Sequence, residues 1–300
     1  MRLGIVGAGA IGLTLGASLA QAHDVVVLAR RPEIAALLER DGISVLRDDA
    51  TNYVRVRATT DPRDFADRDA VLVAVKSYAT AGALAPLRGV LAPHALVASI
   101  QNGIDNVAAA REVLPDARIV GGSTTQGAIA EGHGRVRPIN RGMTVFARSD
   151  GTLPTSDDVA AAFAAAGLDA RVEDDVDTLL WSKLVMNAAI NPVGALTGRA
   201  NGEVVSDPDL APLARALAAE AVLVATAEGV VLGDPWEAIE AAGRATAANR
   251  NSMLQDLDAG RPTEIDAISG AIVRRAHARQ IAVPLTETVL RLVRARERRP

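Results

Sequence analysis

The chain has 300 residues, 49% of them hydrophobic and 23% charged, with a formal net charge of −4. That is enough apolar material for a large core divided over two domains, and the slight acidity offers no general attraction for nucleic acid or an anionic membrane. Cysteine is absent, which excludes disulfides, thiolate chemistry and thiolate zinc sites, and the four histidines, His23, His94, His133 and His277, lack metal-ligand spacing and read as surface residues, so no metal is expected.

From Leu3 to Ala22 no residue carries a formal charge. Arg2 ahead of this run and the small residues Ala20 and Ala22 at its end imitate a secretory signal, and its length nearly spans a bilayer. The glycines point elsewhere. Gly7, Gly9 and Gly12 fall at G-x-G-x-x-G spacing after the strand-like Leu3–Val6, and the apolar run DVVVLA (Asp24–Ala29) follows at the distance of a strand–helix–strand unit. The reading is a dinucleotide-binding turn over Gly7, Ala8, Gly9, Ala10, Ile11 and Gly12. Gly7 permits the turn, Gly9 lets a pyrophosphate approach the backbone, Gly12 lets the helix pack on the strand, and helix N-terminal amides hold the phosphates. The second strand ends Ala29-Arg30-Arg31, where an NAD enzyme places an acid on the ribose 2′-hydroxyl. A pocket with arginine there prefers a 2′-phosphate, with Arg30 the first choice and Arg31 beside it; the alternative is a pair of solvated arginines before Pro32.

Val/Ile-rich runs at 71–75 and 96–100 read as buried parallel strands, and each ends in polar residues: Lys76 after the first, Gln101-Asn102-Gly103 after the second. Ligands gather at the carboxyl ends of such strands. Further strands are expected at Arg118–Val120 and Met143–Ala147, with a polar, glycine-rich crossover from Ala130 to Gly142 between them. This is the texture of a doubly wound α/β half. Beyond Asp150 apolar residues recur at three- and four-residue spacing, as in LARALAAEAVLVATAEG (213–229), so the second half is expected to be all helical. An acidic stretch, Asp169–Asp175, reads as the hinge, giving a Rossmann-type domain over 1–172 and a helical substrate domain over 173–300. With the opening assigned to a nucleotide turn, no other segment reads as long and apolar enough for a membrane, and the cytoplasm is the expected location. The basic tail, Arg291 to Arg299, reads as a solvated helix end. The alanine-rich helices leave open whether their faces bury within the chain or against a second copy in a homodimer.

The stretch WSKLVMNAAINPVGALTGRANGE stands out in the second half. Lys183, Asn187 and Asn191 are four residues apart and share one helical face, while the residues between them are apolar, so the polar stripe is expected to face a cavity. The alternative is a solvated face with one snorkelling lysine. Ser252 and Glu264, in NRNSMLQDLDAGRPTEIDAISG, read on pattern alone as surface residues.

Together GAGAIG (7–12), VKSY (75–78), QNG (101–103), GGSTTQGA (121–128), the K-x-x-x-N-x-x-x-N helix with Asn201-Gly202-Glu203 after it, Ser252 in NRNSM and EIDAISG (264–270) resemble the ketopantoate reductases over nearly the whole length. The resemblance implies an NADPH enzyme that reduces ketopantoate, a small 2-oxo acid, to (R)-pantoate on the way to pantothenate and coenzyme A. It implies Lys183 as proton donor with Glu264 assisting. It implies Asn102, Asn187, Asn191, Asn201 and Ser252 as substrate contacts, and Lys76, Asn102, Ala128 and Glu264 as contacts to the cofactor or the reacting groups. The alternatives are a paralogous NADPH-dependent reductase of another branched 2-oxo or β-keto acid, and a non-enzymatic NADP sensor. The sensor has no use for an ammonium on a buried helix.

Overall fold

The computed structural model describes residues 1–47 and 50–298; Arg299 of the basic tail lies outside the described residues. The chain divides into two compact units, residues 1–101 with 106–176, and residues 102–105 with those from 177 onward.

The first unit opens with β1 (Arg2–Val6), α1 (Ala10–Leu19), β2 (Asp24–Leu28) and α2 (Pro32–Asp41). It continues through β3 (Ile43–Arg47), β4 (Ala50–Val54), β5 (Arg57–Thr59), β6 (Ala70–Val73), α3 (Thr80–Leu84), β7 (Leu96–Ser99), α4 (Asn106–Val113) and β8 (Arg118–Thr124). Strands β5, β2, β1, β6, β7 and β8 lie side by side in that order, all parallel. Their Val, Leu, Ile and Ala runs carry no polar alternation because both faces of such a sheet are covered. The chain runs from β1 outward through β2 to β5 and then returns to β6 on the other side of β1. That reversal is the topological switch point where open α/β sheets take their ligands. The glycine turn, Arg30 and Lys76 follow directly on the carboxyl ends of β1, β2 and β6.

Residues 130–142, expected as a polar, glycine-rich crossover, contribute to a second sheet on the way from β8 to β11. Here β9 (Gly127–Ala130) and β10 (Arg135–Asn140) pair antiparallel, and the sheet order is β4-β3-β10-β9. The glycines of the crossover make the hairpin turn: Gly132 and Gly134 have φ of +101° and +72°, a region side-chain-bearing residues avoid. Helix α1 packs on β1 and β2 with one side and on β3, β9 and β10 with the other. Leu13, Leu15, Ala17 and Leu19 are all buried. A helix enclosed on all sides must be apolar on all sides, which is why its sequence imitates an export signal.

β11 (Thr144–Ala147) runs antiparallel to β8, and α5 (Ser156–Ala165) is closed at its start by a reciprocal Thr155–Asp158 capping box. Phe163 of α5 meets Phe146 of β11 edge-on at 5.3 Å. The expectation of pure helix beyond Asp150 fails at one place. β12 (Ala170–Glu173), inside the acidic stretch read as a hinge, pairs in parallel with β11 at the edge of the main sheet. With four residues and a neighbour on one side only, it has no need of the continuous apolar run that marks a buried strand.

The second unit is built from α6 (Val176–Thr197), α7 (Asn201–Ser206), α8 (Leu210–Ala227), α9 (Trp236–Ala245), α10 (Ser252–Asp258), α11 (Ser269–Ala278) and α12 (Pro284–Glu297). Its core gathers around α6, where Trp181, Leu184, Val185, Ala188, Ala189, Ile190 and Val193 are buried. Contrary to the expectation that no later segment is long and apolar enough to span a membrane, α8 meets that criterion by length and composition. Alanine's apolar character accounts for it: Ala214, Leu217, Ala218, Ala221 and Val224 form a buried stripe at helical spacing against α11 and α12. On the same helix, the Glu220 carboxylate accepts bonds from the backbone N–H of Leu285 and Thr286 at 3.0 and 2.7 Å, capping α12.

Gly12 has the least room of the three motif glycines, because a Cβ there would stand 2.0 Å from the carbonyl oxygen of Gly7. Backbone cannot step aside as a side-chain tip can. Gly12→Ala is expected to destabilise the fold by about 3 kcal/mol, the upper end of ordinary overpacking, read as a lower urea midpoint with unchanged slope. An unchanged midpoint would show that the α1–β1 junction is not the tight contact described.

Candidate active site

At the turn after β1, Gly7 has φ +117° and its N–H donates to the Leu28 carbonyl at 3.1 Å, tying the turn to β2. Gly9 is the N-cap of α1; no side chain caps this helix and its first turn holds no acid. The N-terminal amides of a helix in that state present positive charge outward. A Cβ on Gly9 would meet no protein atom within 4 Å, so the backbone lies open where a phosphate would approach. These residues fit a dinucleotide. Ala8, Ala10 and Ile11 are half-buried in the same turn.

The two arginines beyond β2 differ. Arg31 is engaged: its guanidinium lies 3.5 Å from the Glu33 carboxylate and 3.1 Å from His133 Nδ1. Arg30 is exposed and forms no hydrogen bond or ion pair among the described residues. Lys76 begins the short 3-10 turn Ser77–Ala79, half-buried. That loop is held by Gln101, whose amide donates to the Val75 carbonyl at 2.9 Å and to Thr80 Oγ1 at 2.7 Å while accepting from Ser99 at 3.1 Å. Gln101 therefore spends its hydrogen bonds inside the protein as a brace. Ala128 lies in β9, opposite Pro138 of β10.

In the second unit the structure brings Lys183, Glu264 and Asn102 together. Glu264, which reads as a surface residue on pattern alone, is 6% exposed in the turn before α11. Its Oε2 accepts a hydrogen bond from Asn102 Nδ2 at 3.0 Å. Lys183 projects from the second turn of α6, and burial lowers its pKa from 10.5 to about 8, partly offset by the negative charge of Glu264. A buried carboxylate needs a partner. Sequence pattern missed it because one acid in a mixed stretch has no periodicity to declare its burial.

Asn187 and Asn191 continue the Lys183 stripe along α6, half-buried and buried respectively, and neither side-chain amide is hydrogen-bonded within the described residues. Pro192 follows inside the helix and has no N–H to donate to the carbonyl four residues back. Asn201 opens α7, its Nδ2 donating to Thr246 Oγ1 at 3.0 Å while Oδ1 is buried without a hydrogen-bond partner among the described residues. Its backbone N–H donates to the Asn249 carbonyl at 3.0 Å, joining it to the segment that leads into Ser252. Ser252 is exposed at the first position of α10; the cap is Asn251, whose Oδ1 accepts from Leu254 N–H at 3.0 Å. Asn251 also packs on Gly194, one turn beyond Asn191, where a Cβ would stand 2.5 Å from Nδ2. The amides of α6 and Ser252 thus belong to one neighbourhood.

Lys76 and Lys183 are the only two lysines in the sequence, the other basic residues being arginine. Arginine keeps its proton at any physiological pH, whereas a lysine can be tuned to release one. A chain that otherwise uses arginine throughout has lysine at two positions after strand β6 and on buried α6. In protein labelled with ¹³C-lysine, the Lys183 signal is expected to titrate with a midpoint of about 8. Glu264→Gln removes the charge that raises it and should move the midpoint lower still. A midpoint at the ordinary lysine value would mean that the ammonium is solvated.

The family profile described as "Ketopantoate reductase PanE/ApbA" matches residues 3–151, and "Ketopantoate reductase PanE/ApbA C terminal" matches residues 175–297. The 2-dehydropantoate 2-reductase of Halobacterium salinarum is 36% identical over 303 residues, covering 99% of each chain. That of Archaeoglobus fulgidus is 36% identical, with 99% of this chain and 98% of the relative covered. Among solved structures, a PanE/ApbA family ketopantoate reductase from Ralstonia eutropha JMP134 superposes with a TM-score of 0.90 at 34% identity, covering 99% of this chain and 98% of the other. A D-mandelate dehydrogenase with NADH and anilino(oxo)acetate reaches a TM-score of 0.91 at 22% identity over 99% and 98% of the two chains, a likeness of fold. The chain belongs to the ketopantoate reductase family, a family of oxidoreductases.

Proposed function

We propose that the protein reduces the 2-oxo group of 2-dehydropantoate to (R)-pantoate with NADPH, in the cytoplasm, supplying a precursor of pantothenate and coenzyme A. The observation that carries the chemistry is the desolvated Lys183, with a pKa of about 8, on a buried helix beside Glu264. The bound nicotinamide supplies a hydride, and the remaining work falls to the chain. Reduction turns a carbonyl oxygen into an alkoxide, so a positive donor must stand at that oxygen. Lys183 serves twice in that position: its ammonium polarises the carbonyl, and Nζ then delivers the proton. Glu264 keeps the lysine charged near neutral pH, because its negative charge opposes the desolvation that lowers the lysine pKa. Asn102 holds the Glu264 carboxylate through the 3.0 Å bond. Asn187, Asn191, Asn201 and Ser252 orient the substrate hydroxyl and carboxylate. Oδ1 of Asn201, unpaired among the described residues, is a buried acceptor suited to a substrate hydroxyl.

For the cofactor, Gly7, Gly9, Gly12 and the start of α1 would hold the pyrophosphate, Lys76 and Ala128 would line its path, and Arg30 would take the 2′-phosphate. Arg30 is favoured over Arg31 because Arg31 is already occupied by Glu33 and His133.

The test is steady-state oxidation of NADPH with 2-dehydropantoate, a panel of other 2-oxo acids, and NADH as control. Preference for 2-dehydropantoate and NADPH is the expected result; a stronger response to another acid would keep the reaction and change the substrate. Lys183→Ala should lower turnover by about two to four orders of magnitude, the range of positioned acid catalysis, with cofactor affinity retained. Unchanged turnover would remove Lys183 from the mechanism. Arg30→Ala should raise the KM for NADPH while leaving that for NADH nearly unchanged, and an equal loss for both cofactors would make the arginine structural.

A further inference from the structure

We propose that Arg275 is a positioning residue for the reaction, one guanidinium that holds Asn102, Glu264 and Lys183 in register from behind the site. This rests on the reading above that those three side chains act in turnover. They come from three separate stretches of chain: the segment 102–105, the turn before α11, and α6. The bond from Asn102 Nδ2 to Glu264 Oε2 joins the first two.

Arg275 touches the first and the last of these stretches and belongs to the helix that follows the second. Its Nη2 donates to Asp105 Oδ1 at 2.5 Å, three residues beyond Asn102, while Arg274 donates to the other oxygen of the same carboxylate at 2.7 Å. The two arginines hold the Asp105 pKa below the usual carboxylate range although burial pushes the other way. The guanidinium of Arg275 also lies over the Trp181 ring at 5.9 Å, within reach of a cation–π attraction. Trp181 is 5% exposed and two residues before Lys183 on α6. Arg275 itself belongs to α11, and the turn leading into that helix carries Glu264. Between the two clamps, Gly103, with φ +92°, packs so closely on the Ala267 carbonyl that a Cβ would stand 2.8 Å from its oxygen. The planar, permanently charged fork of arginine meets a carboxylate edge-on and an indole face-on at once, which lysine does not do. A point charge would satisfy Asp105 and release Trp181.

A positioning role acts through Asn102, which separates it from a merely structural one. Arg275→Met is expected to lower kcat about tenfold to a hundredfold, the cost of a displacement near 1 Å at reacting groups, with the NADPH KM little changed. Arg275→Lys should restore only part of the loss. The deciding measurement is a double-mutant cycle in kcat with Asn102→Ala. If Arg275 works by holding Asn102 together with Glu264 and Lys183, the double variant loses less than the product of the two single losses; if the two losses multiply, the proposal is overturned. Should Arg275→Met fail to fold, Asp105→Asn, isosteric and at the other end of the same contact, is carried through the same cycle with the same two outcomes. A kcat untouched by Asn102→Ala would instead strike the reading of the site on which the proposal rests, and the proposal with it, and is told apart because it appears in the single variant.

Discussion

An ammonium withdrawn from water is costly wherever it stands, and the helical unit is organised around paying that cost at Lys183. Its pKa falls from 10.5 to about 8, a penalty on the charged form on the order of 3 kcal/mol. The sign matters for stability as well as for chemistry. Because the unfolded chain holds this proton up to its ordinary pKa and the folded chain releases it near 8, the penalty is fully present below about pH 8 and is relieved as pH rises toward 10.5. A protein that kept Lys183 only for stability would do better with a buried leucine. The surrounding design is consistent with use: Glu264 is buried beside it, and Asn102 satisfies that carboxylate without adding a second charge.

The two units meet the problem of charge in different ways. Around the glycine turn the work is done by backbone, where a capless helix start and an open Gly9 present amides without placing any side chain in the way. Such a site needs no titration, and the cation beyond β2 proposed to complete it is an arginine, fixed in charge. The proposed proton donor of the helical unit must change charge during the reaction, and there the sequence has a lysine. The residue types follow the physical task.

Much of this was legible in the sequence. The G-x-G-x-x-G spacing between two apolar runs specified β1, α1 and β2, since a tight turn and a close helix leave few other arrangements. The four-residue spacing of Lys183, Asn187 and Asn191 specified a stripe on α6. What pattern alone could not show were the features that depend on partners distant in the chain. Glu264 reads as solvated until Asn102, 162 residues earlier, is seen to bond it. Within the 130–142 crossover the strand went unseen because glycine marks turns of every kind, and only pairing with β3 and β9 declares it. β12 was hidden by its shortness, and α8 looked soluble-side ordinary in pattern while its alanines make it apolar enough to pass a membrane criterion.

The neutrality of the stripe beyond Lys183 carries the last step. Asn187 and Asn191 sit one and two turns along α6 from the ammonium, where an acid would also have satisfied a buried cation. A carboxylate at either position would raise the lysine pKa, slow proton release, and repel the carboxylate of a 2-oxo acid as it entered. Amides donate and accept without doing either. The negative charge that acts on Lys183 comes from Glu264, outside the helix and held by Asn102, so on the proposed reading the ammonium is kept charged without an acid on the stripe that would meet the substrate anion.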